Sequence, residues 1–112
     1  MAGDDKALVW LHGEIRTPPF TVEARIEAGV LLRRLQRGEV VGMPHARPMP
    51  SIGAHCYELR VRDAQHNWRI ISIVAVDAIV ILEVFRKTTR ATPATVIATC
   101  RARLKRYTDT ES

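Results

Sequence analysis

The chain has 112 residues, a length that fits one domain and leaves little room for two. Hydrophobic residues make up 46% and charged residues 26%, which is typical of a globular domain. Seventeen lysines and arginines stand against 12 acidic residues, a formal net charge of +5. This composition argues against a disordered chain, and the basic excess predicts a polyanionic partner, either nucleic acid or an acidic protein.

Arginine supplies most of the positive charge, because lysine occurs only at Lys6, Lys87 and Lys105. The planar guanidinium group matches the geometry of phosphate and stacks on bases, which favours a nucleic-acid partner. A genome rich in G and C would enrich arginine without any such function. Composition alone leaves both explanations open.

The sequence predicts a soluble cytoplasmic protein without metal or cofactor. It begins with no basic and apolar secretory signal. The longest apolar stretch, Ile70 to Val84, is interrupted by Ser72 and Asp77 and is shorter than the ~20 residues of a membrane span. Cys56 and Cys100 have no metal-binding spacing, and we interpret them as buried thiols in a reducing compartment.

The first half of the chain predicts a strand, a helix and a long loop. Ala7 to His12 is a short apolar strand, and a helix runs from Thr21 to about Arg37. One apolar stripe of this helix contains Ala24, Ala28, Leu31, Leu32 and Leu35. A second comprises Val22, Ile26 and Val30, which predicts that the helix is covered on two sides.

Residues Val41 to Ala54 form the predicted loop, because three prolines within seven residues exclude a helix and disfavour a regular strand. Long loops within compact domains are often functional. This loop carries His45 and Arg47, both of which are candidate RNA-binding residues.

The second half predicts three strands in an antiparallel meander followed by a helix. Cys56 to Arg62 alternates apolar and polar residues, whereas Trp68 to Val76 and Ala78 to Arg86 are nearly continuous apolar runs. Thr92 is the expected N-cap of the last helix, with Pro93 at its first position.

These elements give the order β-α-β-β-β-α, and they predict a small antiparallel sheet with helices packed on it, in the α+β class. We expect a single domain over residues 1–112. Polar residues 1–6 and 108–112 are expected to fray.

Seven basic residues between positions 86 and 106 have no acidic neighbour before Asp109, which predicts a polyanion footprint. A solvated helix face is the alternative. The seven are Arg86, Lys87, Arg90, Arg101, Arg103, Lys105 and Arg106.

Two arginines lie in the interior of the predicted strands rather than at their ends. Arg60 is on the polar face of its strand, whereas Arg69 interrupts an apolar one. A buried charge is costly unless it is paired or belongs to a site, so Arg69 predicts either an ion pair with Glu58 or Glu83 or a functional role. If adjacent strands place Arg60 and Arg69 on one face, both cations converge near Lys87 and suit phosphoryl chemistry.

Other catalytic patterns find no support in the sequence. The four histidines show no metal spacing, and the serines lack a GxSxG elbow. The isolated glycines form no phosphate-binding loop. Among the histidines, His45 and His55 are the best candidates for a catalytic role because the proline loop borders the predicted sheet.

Several segments form a recognisable set: Tyr57-Glu58-Leu59-Arg60-Val61, Trp68-Arg69-Ile70-Ile71, Ile81-Leu82, Phe85-Arg86-Lys87-Thr88 and Thr92-Pro93, preceded by Pro44, Arg47, Met49 and Ile52-Gly53 in the loop. Together they resemble the HigB-like, phage-derived branch of the RelE/ParE toxin superfamily, from about Trp10 to Tyr107. The combination is specific, although each segment alone is weak.

The resemblance implies a metal-independent endoribonuclease that cleaves messenger RNA, usually on the ribosome, by attack of the RNA 2′-hydroxyl. It also implies a helix-turn-helix antitoxin as partner. By position, Arg60, Arg69 and Lys87 match the residues that bind the scissile phosphate. His45, Arg47, Arg86, Arg90, Arg101 and Arg103 are the additional RNA-binding candidates.

The sequence departs from the family pattern at Ser72-Ile73, where relatives commonly have a Tyr-Arg pair. The general base is unassigned among His45, Glu58 and Tyr107. These points keep a second hypothesis open, in which the chain is a non-catalytic or ParE-like inhibitory toxin. A nucleic-acid-binding module without toxin activity is the third.

Overall fold

A computed structural model describes residues 5–64 and 66–111. The described residues form five strands and two helices. They are β1 (Ala7–Trp10), α1 (Val22–Gln36), β2 (Ala46–Pro48), β3 (Cys56–Arg62), β4 (Asn67–Val74), β5 (Ala78–Arg86) and α2 (Ala94–Glu111).

The strands form one mixed sheet in the order β1-β5-β4-β3-β2. The predicted α+β class and the β3-β4-β5 meander are confirmed. The sheet is not wholly antiparallel, because β1 pairs in parallel with β5, with Ala7 opposite Ala78. The chain leaves β1 through α1, enters the sheet again at the far edge with β2, and returns by the meander to place β5 alongside β1.

One face of the sheet is covered by α1. The Thr21 hydroxyl accepts a hydrogen bond from the backbone N–H of Ala24, which caps the helix as its sequence predicts. The stripe from Ala24 to Leu35 packs on Leu59, Ile70 and Ile81 of the sheet. On the same side, the rings of Phe20 and Trp68 stack with centroids 4.1 Å apart.

The prediction that α1 is covered on two sides is wrong. Val22, Ile26 and Val30 are 48%, 60% and 53% exposed. The helix lies on the outside of the sheet, and its outer face meets no other element among the described residues.

The opposite face of the sheet is covered by α2, through Cys100 and partly buried residues that pack on Ile71, Val80 and Leu82. The helix begins at Ala94, and the Pro93 carbonyl accepts hydrogen bonds from Val96 and Ile97. The chain therefore turns into the helix one residue later than predicted. The Thr92 hydroxyl is engaged elsewhere, with Glu58.

Part of the proline loop forms the edge strand β2, contrary to the sequence prediction. Ala46, Arg47 and Pro48 pair with Leu59, Glu58 and Tyr57 of β3. A proline is tolerated here because an edge strand needs hydrogen bonds on only one side. The strand fixes the loop against β3, with Arg47 opposite Glu58.

Parts of the two segments expected to fray are described, and their fraying stays a prediction. The Arg33 guanidinium lies 2.6 Å from the Asp5 carboxylate, and the Lys6 ammonium donates to the Ala75 carbonyl. The α2 helix continues to Glu111. The remainder of those segments, residues 1–4 and Ser112, lies outside the described residues.

Neither of the two helices found within residues 5–64 and 66–111 has the length and apolar character needed to cross a membrane.

Candidate functional site

Three of the predicted phosphate-binding cations converge on one carboxylate. Arg60 in β3 lies directly opposite Arg69 in β4, and the backbone of Lys87 continues the sheet by donating to Asn67 at 2.7 Å. Glu58 Oε1 lies 3.9 Å from Arg60 Nε, 3.6 Å from Arg69 Nε and 3.9 Å from Lys87 Nζ. We call these four residues the cation cluster.

Glu58 is fully buried at the base of this cluster. It faces the α2 side of the sheet because it alternates with the α1-facing residue Leu59. Its Oε2 accepts a hydrogen bond from the Thr92 hydroxyl, while Arg47 is its register partner on β2. The carboxylate thus joins an edge strand, two central strands and the segment that precedes α2.

The three cations lie at different depths. The side chains of Arg60, Arg69 and Lys87 are 27%, 13% and 7% exposed. Burial lowers the pKa of Lys87 and of Arg69 below the usual range, while the Glu58 carboxylate acts in the opposite direction on both. The ion-pair partner therefore offsets only part of the desolvation that these two cations undergo.

Charge attraction rather than hydrogen bonding holds the centre of the cluster together. Glu58 Oε1, Arg60 Nε and Arg69 Nε are buried and have no hydrogen-bond partner among the described residues. Three cations share one carboxylate, which leaves an excess of two positive charges. A second anion at the exposed edge of the cluster would meet an attractive potential.

A cavity of about 310 Å³ borders the cluster. Arg60 and Arg69 line it together with Arg62, Asn67 and His45. His45 is exposed, and its backbone carbonyl accepts from Arg60 at 2.8 Å. Of the three candidate general bases, His45 alone lines this cavity, since Glu58 is buried beneath the cations and Tyr107 lines a different cavity.

The other predicted RNA-binding residues do not all gather at the cluster. Arg47 lies beside it on β2, whereas Arg86 is opposite Trp68 and so belongs to the α1 face of the sheet. Arg90 and Arg101 are exposed, on the β5–α2 connection and on α2. Arg103 turns inward, where it donates to the Leu82 carbonyl and to Glu83.

The departure from the family pattern falls at two interior positions. Ser72 is fully buried with its hydroxyl unpartnered among the described residues, and Ile73 is 7% exposed within the core under α2. Ile73 pairs with Cys56, two residues along β3 from Glu58, a displacement of about 7 Å. In this fold, neither side chain occupies the exposed edge of the cluster.

Both cysteines are buried, as the sequence predicts. Burial raises the pKa of the Cys56 thiol to about 12 and that of Cys100 to about 11. The described part of the chain also contains no group of three or more histidine, cysteine, aspartate or glutamate side chains arranged to hold a metal ion.

A family model for the phage-derived protein Gp49-like (DUF891) matches residues 19–105, most of the chain. The chain belongs to the Gp49-like family. This family is part of the RelE/HigB-type toxin group, and the mixed five-stranded sheet with two helices is consistent with a small RelE-like domain. Membership suggests an antitoxin partner. A search of curated proteins finds no match.

Sequence reasoning missed two features of the Gp49-like domain. It treated Thr92 only as a helix cap, although Thr92 hydrogen-bonds to Glu58. It also assigned no role to His12, which lines one cavity with Arg106 and Tyr107. No spacing signal connects residues so distant in sequence, because the contact depends on the parallel pairing of β1.

Proposed function

We propose that this Gp49-like protein is the toxin of a toxin–antitoxin pair and that it is an endoribonuclease of messenger RNA. The single observation that supports this most directly is the convergence of Arg60, Arg69 and Lys87 on one buried carboxylate with excess positive charge. Such a cluster attracts a phosphodiester and stabilises the negative charge that grows on it in the transition state.

The proposed reaction needs only groups of the RNA and the protein. The 2′-hydroxyl oxygen attacks the adjacent phosphorus, the bond from phosphorus to the 5′-oxygen breaks, and a cyclic phosphate and a 5′-hydroxyl result. A base accepts the 2′-hydroxyl proton, and an acid returns one to the leaving oxygen. We propose His45 as the base because it lines the cavity beside Arg60 and Arg69.

The ribosome is the proposed place of cleavage, and exposed arginines supply the proposed RNA contacts around the cluster. Arg47 and His45 lie beside it, Arg90 is on the connection between Lys87 and Thr92, and Arg86 and Arg101 lie on β5 and α2. Arg103 donates a hydrogen bond to Glu83, and it would contact RNA while still paired with that carboxylate. A helix-turn-helix antitoxin with an acidic segment over the basic surface is the proposed inhibitor.

One observation favours a second candidate, a non-catalytic or ParE-like inhibitory toxin. Lys87 is only 7% exposed, and Glu58 already occupies the position that an anion would take at the centre of the cations. A phosphate that reached all three cations would have to compete with that carboxylate.

Cleavage of messenger RNA in a translating extract separates the candidates. We expect the wild-type chain to cut transcripts, Arg60→Gln and Arg69→Gln to lose at least a hundredfold in rate, and the exposed Arg37→Gln to match the wild type. Circular dichroism and urea unfolding establish that each variant is folded. Growth arrest with intact transcripts would support the non-catalytic toxin. If the chain neither arrests growth nor cuts transcripts, the nucleic-acid-binding module is the remaining hypothesis.

A further inference from the structure

A second cavity lies on the opposite side of α2 from the proline loop, between the end of β1 and the last turns of the helix. Its volume is about 480 Å³, within the range of pockets that bind small organic ligands. Its lining combines aliphatic, aromatic, hydroxyl and basic groups: Leu11, His12, Arg103, Arg106, Tyr107 and Thr110.

The basic part of this cavity is held in place by Glu83. The Glu83 carboxylate lies 3.1 Å from Arg103 Nη1 and 3.5 Å from His12 Nε2, and its Oε1 also accepts from the backbone of Val84 at 3.0 Å. Arg103 makes a further bond of 2.7 Å to the Leu82 carbonyl. Two basic side chains from distant parts of the chain are thereby oriented toward one space.

Arg106 adds a charge that no described residue neutralises. It is exposed at the cavity, and its guanidinium makes no hydrogen bond or ion pair within residues 5–64 and 66–111. By contrast, the neighbouring Lys105 pairs with Asp109 at 3.1 Å. An anion in the cavity would therefore meet Arg106 and His12, and a flat apolar group beside it would contact Leu11 and Tyr107, which line the same space.

The position of the cavity connects it with the cation cluster. Glu58 and Glu83 lie in one row across the sheet, on either side of Ile71. Two strand spacings separate their backbones by about 10 Å, which about three nucleotides of a stacked strand span at ~3.4 Å each. Because Ile71 is buried beneath α2, an RNA strand that reaches both places passes around the helix and spans more than this distance.

We propose that the cavity between β1 and α2 binds a second nucleotide of the same RNA strand, with its phosphate on Arg106 and His12 and its base against Leu11 and Tyr107. This proposal rests on the proposed function, since it requires RNA at the cation cluster. It assigns to α2 and β1 a role in holding the strand outside the site of cleavage.

Titration of the full chain with a six-nucleotide 2′-O-methyl RNA tests the proposal by amide NMR, because the methylated 2′-oxygen prevents cleavage. We expect the amide signals of residues 11–12 and 103–110 to shift together with those around Arg60. Arg106→Ala should weaken binding by about three- to tenfold and reduce the slope of log affinity against log salt by about one. Arg37→Ala, which removes an exposed arginine at the end of α1 and outside both places, should change neither.

The outcomes separate this proposal from the ribonuclease assignment. Equal affinities for Arg106→Ala and Arg37→Ala, or unshifted signals at residues 11–12, would overturn the second nucleotide site even if the chain cuts RNA. Shifts that a hexaglutamate peptide produces and the RNA does not would also overturn it. RNA-dependent shifts there that Arg106→Ala and His12→Gln abolish would support it even if no transcript is cut.

Discussion

The Thr92 hydroxyl donates a hydrogen bond to the Glu58 carboxylate, across 34 positions of sequence. This bond fixes the segment before α2 to the floor of the cation cluster. Because Glu58 is buried, this hydrogen bond should contribute to the stability of the fold. A buried carboxylate that loses a donor retains its full desolvation penalty.

Replacement of Thr92 by valine therefore tests the bond with little change in shape. We expect Thr92→Val to lower the free energy of unfolding by about 1–3 kcal/mol, as measured by urea denaturation. Thr92→Ser retains the hydroxyl and should recover most of the loss. A serine variant no more stable than the valine variant would show that the methyl group, not the hydrogen bond, is responsible.

Glu58 itself should be the most sensitive acidic residue in the chain. Glu58→Gln leaves three cations in close proximity without their shared anion, and we expect a loss of about 3–5 kcal/mol in unfolding free energy. Added salt should reduce the loss by screening the repulsion among the cations. Glu14→Gln, which removes an exposed carboxylate, should cost less than about 1 kcal/mol. Similar values for the two variants would contradict the arrangement.

The lowered pKa of Lys87 predicts how the cleavage rate of the proposed nuclease changes at high pH. As pH rises toward the ordinary lysine pKa of 10.5, Lys87 loses its proton earlier than an exposed lysine does, and the positive charge on the phosphate site falls. The cleavage rate should therefore decline on the alkaline side, and Lys87→Arg should move this decline to higher pH. If the cleavage rate of Lys87→Arg declines at the same pH as that of the wild type, deprotonation of another group causes the decline.

The buried thiols predict a pH-dependent loss of stability. The folded-state pKa values of Cys56, about 12, and Cys100, about 11, lie above the unfolded value of 9.0. Their stabilising contribution is therefore complete below pH 9 and declines as pH rises from 9 toward 11 and 12. Cys56→Ala and Cys100→Ala should each show a shallower decline in unfolding free energy between pH 8.5 and 10.5 than the wild type, as measured by urea denaturation at each pH; parallel curves would contradict the assignment.

Substitutions on the two apolar stripes of α1 should differ in their cost to stability. Ile26→Gln, on the exposed stripe, should change the unfolding free energy by less than about 0.5 kcal/mol. Leu32→Ala, on the buried stripe, should cost about 2–5 kcal/mol. Thermal unfolding of the isolated chain measures both, and a large cost at Ile26 would indicate that the stripe is covered in solution.

Local patterns were sufficient to predict most of the elements. The alternation in β3 and the apolar runs of β4 and β5 define the meander, and the stripe of α1 defines its buried face. The sequence predicted the convergence of Arg60 with Arg69 only if the two strands placed them on one face. A shift of one residue in register would place the two side chains on opposite faces. The observed register meets that condition.

Features that depend on distant pairing could not be predicted in this way. The inward turn of Arg103 requires Glu83 beneath it, and the apolar character of Val22 and Ile26 does not reveal whether another element covers them. The edge strand around Pro48 forms because β3 offers an unpaired side. In each case, the residue type is compatible with two environments, and only the tertiary arrangement selects one.

The parallel pairing of Ala7 with Ala78 also sets the order in which the molecule can be completed. The N-terminal strand has no partner until the last strand of the meander has been synthesised, whereas β3, β4 and β5 can pair with their neighbours as they emerge. Contacts of such high sequence separation form late and slow folding. A nascent chain therefore cannot close its sheet until β5 has been synthesised, which delays the appearance of the complete domain.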